Sequence, residues 1–179
     1  MKATVYVGVS LDGFIARKNG EIDWLAPFEN EEVATSYREF CETIDVFVIG
    51  RGTLETALSF PAWPYQKQVF VLSSTLRTLP DFLRSRAEIT SLSPRSMLSE
   101  LSRRGFSSVY VDGGKVIQSF LREDCIDEMI LTRVPMLLGG GIPLFGELSQ
   151  ALRFTHSRSV PYKNGLVKSH YLRTRTSDC

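Results

Sequence analysis

Three short stretches, residues 45–49 (DVFVI), 69–72 (VFVL) and 108–111 (SVYV), constrain the fold more than any other part of the chain, because they are apolar without polar alternation. A strand with one wet face alternates. A continuous apolar run is buried on both faces, which in a domain of this size points to a mostly parallel sheet with helices above and below. Helical patterns separate these runs. Residues 30–43 (NEEVATSYREFCET) bring Val33, Tyr37, Phe40 and Ile44 round at helical spacing behind acids that suit a helix N-terminus. Residues 94–104 begin with Pro and stop before Gly105, residues 115–123 (KVIQSFLRE) are helical, and a short helix is expected from about Thr53 to Leu58. A strand over 3–9 (ATVYVGV) opens the chain and is broken at Asp12-Gly13, and 127–134 (DEMILTRV) is another strand. Strands over 152–160 and 166–173 are joined through Tyr162-Lys163-Asn164-Gly165, and Asn-Gly is a hairpin signal. The expected fold is α/β: a mixed, mostly parallel central sheet flanked by helices, with a C-terminal antiparallel hairpin.

No linker, repeat or low-complexity tract divides the 179 residues, so one domain over 1–179 is expected. Twenty-one basic and 20 acidic residues nearly cancel, which gives no electrostatic argument for a nucleic acid or an anionic membrane as partner. No apolar run approaches the ~18 residues of a membrane span, and no charged and then apolar leader precedes the first strand pattern. Cys41, Cys125 and Cys179 are odd in number and far apart, and His156 and His170 lack cysteine companions at zinc spacing. Reduced thiols, a cytoplasmic location and no metal are therefore expected.

Three strand patterns end in residues suited to phosphate or ribose, the place where open α/β sheets bind ligands. After 45–49 comes Gly50-Arg51-Gly52-Thr53, with a guanidinium for bidentate phosphate contacts and a hydroxyl that can cap a helix or bond a phosphate oxygen. After 69–72 comes Ser73-Ser74, with Arg77 nearby. After 108–111 comes Asp112-Gly113-Gly114-Lys115, where glycines let backbone N–H groups approach a pyrophosphate at a helix N-terminus. Asp112 beside a phosphate is repulsive and is read as a helix cap. Each motif alone also reads as a plain turn. Their coincidence in one short domain carries the argument. Gly139-Gly140-Gly141 precedes Pro143 and is read as a tight loop rather than a phosphate cradle.

The order of the motifs resembles the dihydrofolate-reductase-like superfamily, in the branch of the reductase domain of the bifunctional riboflavin-biosynthesis deaminase-reductase. Ser10-Leu11-Asp12-Gly13-Phe14-Ile15-Ala16 resembles its opening, followed by Gly50–Thr53, Leu72–Ser74 and Val111–Gly114, and residues 137–145 (LLGGGIPLF) are similar to its late loop. The resemblance implies NADPH as cofactor. Val9 and Ile15 would border the nicotinamide. Gly50, Arg51, Gly52 and Thr53 would hold phosphates, with Arg51 reading the 2′-phosphate. Ser73 and Ser74 would face the adenosine half, and Gly113, Gly114, Lys115, Val116 and Ile117 the pyrophosphate. Tyr6, Trp24 and Phe28 would wall a planar heterocyclic acceptor, pterin- or pyrimidine-like. The resemblance also implies a homodimer. The folate enzymes carry an acid early in the first helix; the segment after Pro27 offers Glu29, Glu31 and Glu32 without a clear match, and none is named as the catalytic group. Two other readings stay open: a nucleotide-binding protein of this fold without turnover, and a structural domain whose glycine turns bind nothing.

Overall fold

The sheet is built outward from a first strand that is buried along most of its length. In the computed structural model, which describes residues 1–175, the elements run β1 (Lys2–Ser10), β2 (Phe14–Ala16), α1 (Glu31–Glu42), β3 (Val46–Gly50), α2 (Arg51–Leu58), β4 (Val69–Leu72), β5 (Ala87–Thr90), α3 (Pro94–Arg103), β6 (Ser108–Asp112), α4 (Gly114–Arg122), β7 (Glu128–Val134), β8 (Ile142–Pro143), β9 (Phe154–Pro161) and β10 (Val167–Arg173). Eight strands form one sheet in the order β5-β4-β3-β6-β1-β7-β10-β9. The six from β5 to β7 are parallel, and β10 and β9 pair antiparallel beyond them. This is the mixed, mostly parallel sheet with a terminal hairpin expected from the apolar runs.

The pleat sorts the core into two layers. Val5, Val48, Val109, Val111 and Leu131 face one side and meet Met97 and Leu101 of α3 and Ile117 and Phe120 of α4. Phe47, Ile49, Val71, Tyr110 and Ile130 face the other and meet Leu54 and Ala57 of α2 and the half-buried Phe40 of α1. Helices α2 and α4, which follow the neighbouring strands β3 and β6, thus lie on opposite faces. A third apolar cluster around Trp24, Val134, Tyr162 and Leu166 seals the hairpin against the segment after β2.

Several boundaries differ from expectation for local reasons. Helix α2 begins at Arg51 rather than Thr53, because Gly50 leaves the strand extended and the helix starts at the next residue. The hairpin turn is as expected, with Gly165 at φ 88° and the Tyr162 N–H donating to Leu166 O at 2.8 Å. Three strands were not foreseen: β5, whose AEIT sequence mixes charge with apolar residues, and the short pair β2 and β8, in which Ala16 opposes Ile142. Residues 139–141 lead into β8, so the expected tight loop also feeds a strand. Cys41 and Cys125 are free thiols, and Cys179 lies outside the described residues. No helix among the described residues is long and apolar enough to cross a membrane.

One carboxylate ties the amino ends of β3 and β6 together. Asp45 Oδ2 accepts from Ser107 N at 2.7 Å, Ser107 Oγ at 2.7 Å and Ser108 N at 2.9 Å. These donors hold its pKa down at about 2. A carboxylate depressed in the folded state contributes stability above its unfolded value of about 3.9, and that stability is lost as pH falls through the folded value. Because the group is exposed, Asp45→Asn should cost only about 1 kcal/mol at neutral pH. The gap to wild type should close as pH falls from about 4 to about 2. Urea denaturation across that range measures it, and a gap independent of pH would contradict the assignment.

Candidate functional site

The sheet has one place where successive connections diverge. From the carboxyl end of β3 the chain leaves through α2 toward β4 and the outer edge; from the adjacent end of β6 it leaves through α4, past β1, to β7. Such a divergence between neighbouring parallel strands opens a crevice at their carboxyl ends. Gly50–Thr53 and Asp112–Lys115 are its two lips.

The lips interlock through glycine. Gly113 has φ 94°, and a Cβ built there would stand 2.5 Å from Thr53 Oγ1. A Cβ on Gly50 would meet Val116 Cγ2 at 3.1 Å. Gly114 is roofed by Ile15 and Ile142, 3.3 and 2.9 Å from where its Cβ would be. The opening motif, the second motif, the Gly-Gly turn and the late loop therefore converge on one spot.

The helix ends at this spot are unlike the others. Helices α1 and α3 are capped by side chains, Asn30 accepting from Val33 N and Ser93 from Ser96 N, and α1 carries Glu31 and Glu32 in its first turn. Helices α2 and α4 have no side-chain cap and no acid in their first turns, which instead hold Arg51 and Lys115. A cation at the positive end of a helix is unfavourable unless an anion lies there too. Two such ends, with their N–H groups free of helical partners, have the donors to hold an anion between them. The fit to a pyrophosphate rests on this donor set and on the space that glycine leaves.

The other expected cofactor residues divide. Arg51 is exposed, pairs with Glu55 at 3.0 Å and reaches Thr75 Oγ1 at 3.5 Å. Ser73 Oγ accepts from Leu76 N at 3.0 Å and so shapes the turn, Ser74 is exposed beside it, and Thr75 joins this patch although its sequence position gave no signal. Thr53 packs against Gly113 instead of capping α2, whose N-cap is Gly50. Gly52 is exposed at the lip. Val116 and Ile117 are core side chains, and the Ile117 N–H is already bonded to Gly113 O at 2.8 Å. The N–H groups of α4 without a helical partner are thus those of Gly114, Lys115 and Val116, and Ile117 presents neither a free N–H nor an exposed side chain. Val9 is also a core residue on the α4 face, so only its backbone can border the crevice.

Asp112 is not a helix cap. Gly113 holds the N-cap position, and Asp112 Oδ1 accepts from Gly113 N at 2.7 Å. Paired with Ile49, Asp112 faces the α1 and α2 side, where Tyr65 and Tyr110 lie. Burial lifts its pKa to about 6, against the lowering effect of the Gly113 N–H. Burial also raises the Tyr65 and Tyr110 hydroxyls, and the Asp112 carboxylate adds to the rise in both. A carboxyl whose pKa is raised to about 6 at the mouth of a crevice is suited to proton transfer.

The acceptor wall differs from expectation. Trp24 is only 2% exposed, enclosed by Val134, Tyr162 and Leu166, and cannot line an open pocket; Phe28 packs against the same cluster. Tyr6 is buried, stacked on Phe40 at 4.7 Å and edge-on to Tyr37 at 5.5 Å. Tyr37, Phe40, Tyr65 and Tyr110 join Tyr6 as the aromatic layer, and no local pattern set these apart from core residues. Glu29, Glu31 and Glu32 are exposed, and Glu31 is engaged by Arg38 at 2.5 Å.

Asp12 fixes the loop over the crevice. It accepts from Ser10 Oγ at 2.5 Å, Leu138 N at 3.1 Å and Gly139 N at 2.7 Å, and these bonds hold its pKa down. The first and late loops are thereby clasped.

The comparisons with known proteins agree with this geometry. A family model described as the RibD C-terminal domain matches residues 2–168. The chain is 34% identical over 175 residues to the uncharacterized protein YwjB of Bacillus subtilis (strain 168), an alignment covering 96% of this chain and 98% of that one. A crystal structure of a protein from Shewanella sp. PV-4 superposes with TM-score 0.92 at 42% identity, over 98% of this chain and 100% of the other. Dihydrofolate reductase from Enterococcus faecalis, complexed with NADP(H), superposes with TM-score 0.66 at 18% identity over 97% of both chains, which places the fold in the dihydrofolate-reductase-like class.

If the Gly113–Thr53 approach sets the crevice, Gly113→Ala should destabilise the protein by at least about 1–2 kcal/mol from its left-handed backbone alone, with the clash adding to it. Thr53→Ala in the same chain should restore the steric part only. Denaturant melts of the single and double variants test this, and strictly additive losses would contradict it.

Proposed function

The chain belongs to the RibD C-terminal domain family, and on that premise we propose that it is an NADPH-dependent reductase acting on a small planar heterocycle, pterin- or pyrimidine-like. The observation that carries the reading is the pair of uncapped, acid-free helix N-termini at the divergence of β3 and β6. The N–H groups of Gly114, Lys115 and Val116 and the first turn of α2 would hold the pyrophosphate. Arg51, Ser73, Ser74 and Thr75 would hold the adenosine end, with Arg51 on the 2′-phosphate. When bound, NADPH supplies the hydride.

The chain's own residues orient and protonate. Ile15 and the backbone at Val9 would border the nicotinamide, and the Asp12 clasp would keep the first loop closed over it and exclude water. Tyr37, the exposed member of the aromatic layer, would offer flat surface to an acceptor, with Tyr6 packed behind it. Asp112, protonated below about 6, would deliver the proton that accompanies the hydride. A homodimer working in the cytoplasm is part of the same proposal. The alternative of a nucleotide-binding protein without turnover has the cradle but gives Asp112 no task.

Two measurements follow. Arg51→Ala should weaken NADPH binding by about 1–3 kcal/mol, the scale of a charge-assisted hydrogen bond, and leave NADH binding nearly unchanged. Equal losses would remove Arg51 as the 2′-phosphate reader. In NADPH oxidation assays with dihydropterin or aminopyrimidine acceptors, the rate should fall as pH rises past about 6. Asp112→Asn should abolish that limb and lower kcat by about 10²-fold or more. A variant with an unaltered pH profile would show that the proton comes from elsewhere.

A further inference from the structure

Asp112 ends β6 on the sheet face that carries three core tyrosines, Tyr6, Tyr65 and Tyr110. Two of their hydroxyls are spent inside the protein. Tyr110 Oη donates to the Tyr6 carbonyl at 2.6 Å, and Tyr6 Oη meets Ser36 Oγ at 3.5 Å. Tyr65 differs. Its ring is buried, yet its hydroxyl has no hydrogen-bond partner among the described residues and is not sealed from solvent. Asp112 is alike: Oδ1 accepts the Gly113 N–H at 2.7 Å, and Oδ2 is unsealed and unpaired among the described residues.

The Tyr65 ring is held from two sides. Phe47 of β3 lies 4.9 Å from it, and Trp63 stands edge-on at 5.1 Å. Phe47 is two residues before Ile49, the strand partner of Asp112, and so shares its face. Pro61 and Pro64 stiffen the segment between α2 and β4 that brings in Trp63 and Tyr65. A ring clamped in this way presents its hydroxyl in a fixed direction, and a preorganised donor loses little entropy on binding. The phenol lies near the Asp112 carboxyl and the Cys41 thiol, and burial, with both of them adding, raises its pKa. It stays a neutral donor throughout the range in which Asp112 titrates. Packing alone would be served as well by a phenylalanine.

Resting on the reductase reading, we infer that Tyr65 is the residue that grips the acceptor, its hydroxyl donating to a ring carbonyl oxygen conjugated with the C=N bond that is reduced. The hydride adds to the carbon of that bond, and the bond's electron pair passes to nitrogen. Nitrogen takes the proton of Asp112, and Tyr65 keeps its own. The hydrogen bond draws charge toward the carbonyl oxygen and so favours addition at the carbon. It also selects rings that carry a carbonyl over rings that carry an amino group in its place, because an amino group would meet the phenol donor to donor.

The test compares wild type with Tyr65→Phe, which keeps the ring and removes one oxygen. Calorimetry with pterin and with 5-aminouracil, in the absence of NADPH, should show binding weakened at least about fivefold, the scale of one hydrogen bond. In NADPH oxidation assays the acceptor KM should rise by a similar factor, while NADPH affinity, the pH limb near 6 and the urea midpoint stay as in wild type. Heterocycle affinity within twofold of wild type would overturn the inference and leave the reductase reading in place. A shifted pH limb with unchanged heterocycle binding would overturn it by giving the hydroxyl to Asp112. A folded wild-type chain that binds NADPH but neither heterocycle would overturn it and leave the cofactor site standing. Loss of NADPH binding would instead sink the reductase reading, and the heterocycle titration is read independently of it.

Discussion

The close approach of Gly113 to Thr53 is the contact on which the rest of the site depends. A side chain at 113 would stand 2.5 Å from the threonine hydroxyl, so the turn after β6 can press against the first turn of α2 only because it has none. That contact brings two helix N-termini from opposite faces of the sheet to one crevice. Each exposes backbone donors and carries a cation where the helix dipole would favour an acid. Such a pair of ends would suit an anion shared between them.

The same interlock organises the surrounding loops. Gly114 lies under Ile15 and Ile142, so the segment after β1 and the segment before β8 are both seated on the start of α4. Asp12 fastens those segments to each other through Leu138 and Gly139. On the other face Asp112 ends its strand among tyrosines, where burial keeps its carboxyl protonated to a higher pH than a surface acid. Backbone donors and a carboxyl of raised pKa thus sit on adjacent residues, the first at the start of α4 and the second set by burial.

The sheet was legible in the sequence wherever burial is continuous. The runs at 46–49, 69–72 and 109–111 announce strands covered on both faces, and Asn164-Gly165 announces the hairpin. Strands β2 and β8 were not legible, since they are three and two residues long and pair across the whole domain. The glycine and cation motifs at the strand ends were readable as a group because their chemistry does not depend on distant contacts, and the fold brings Gly50–Thr53 and Gly113–Val116 together. The acceptor side was not. Trp24 looks like a ligand wall until the hairpin closes over it, and the side chains of Val9 and Ile117 are taken up by the core on the α4 face, which leaves Val9 only its backbone at the crevice. Asp112 reads as a repulsive neighbour or a cap, because its shift comes from burial that only the assembled β3, β6 and α1 create.

We propose that the crevice between β3 and β6 binds a phosphorylated nicotinamide dinucleotide. The most direct measurement is a calorimetric titration of the purified chain with NADPH and with NADH. One saturable site per chain is expected, with NADPH bound more tightly than NADH. Failure of a folded chain to bind either cofactor would contradict it.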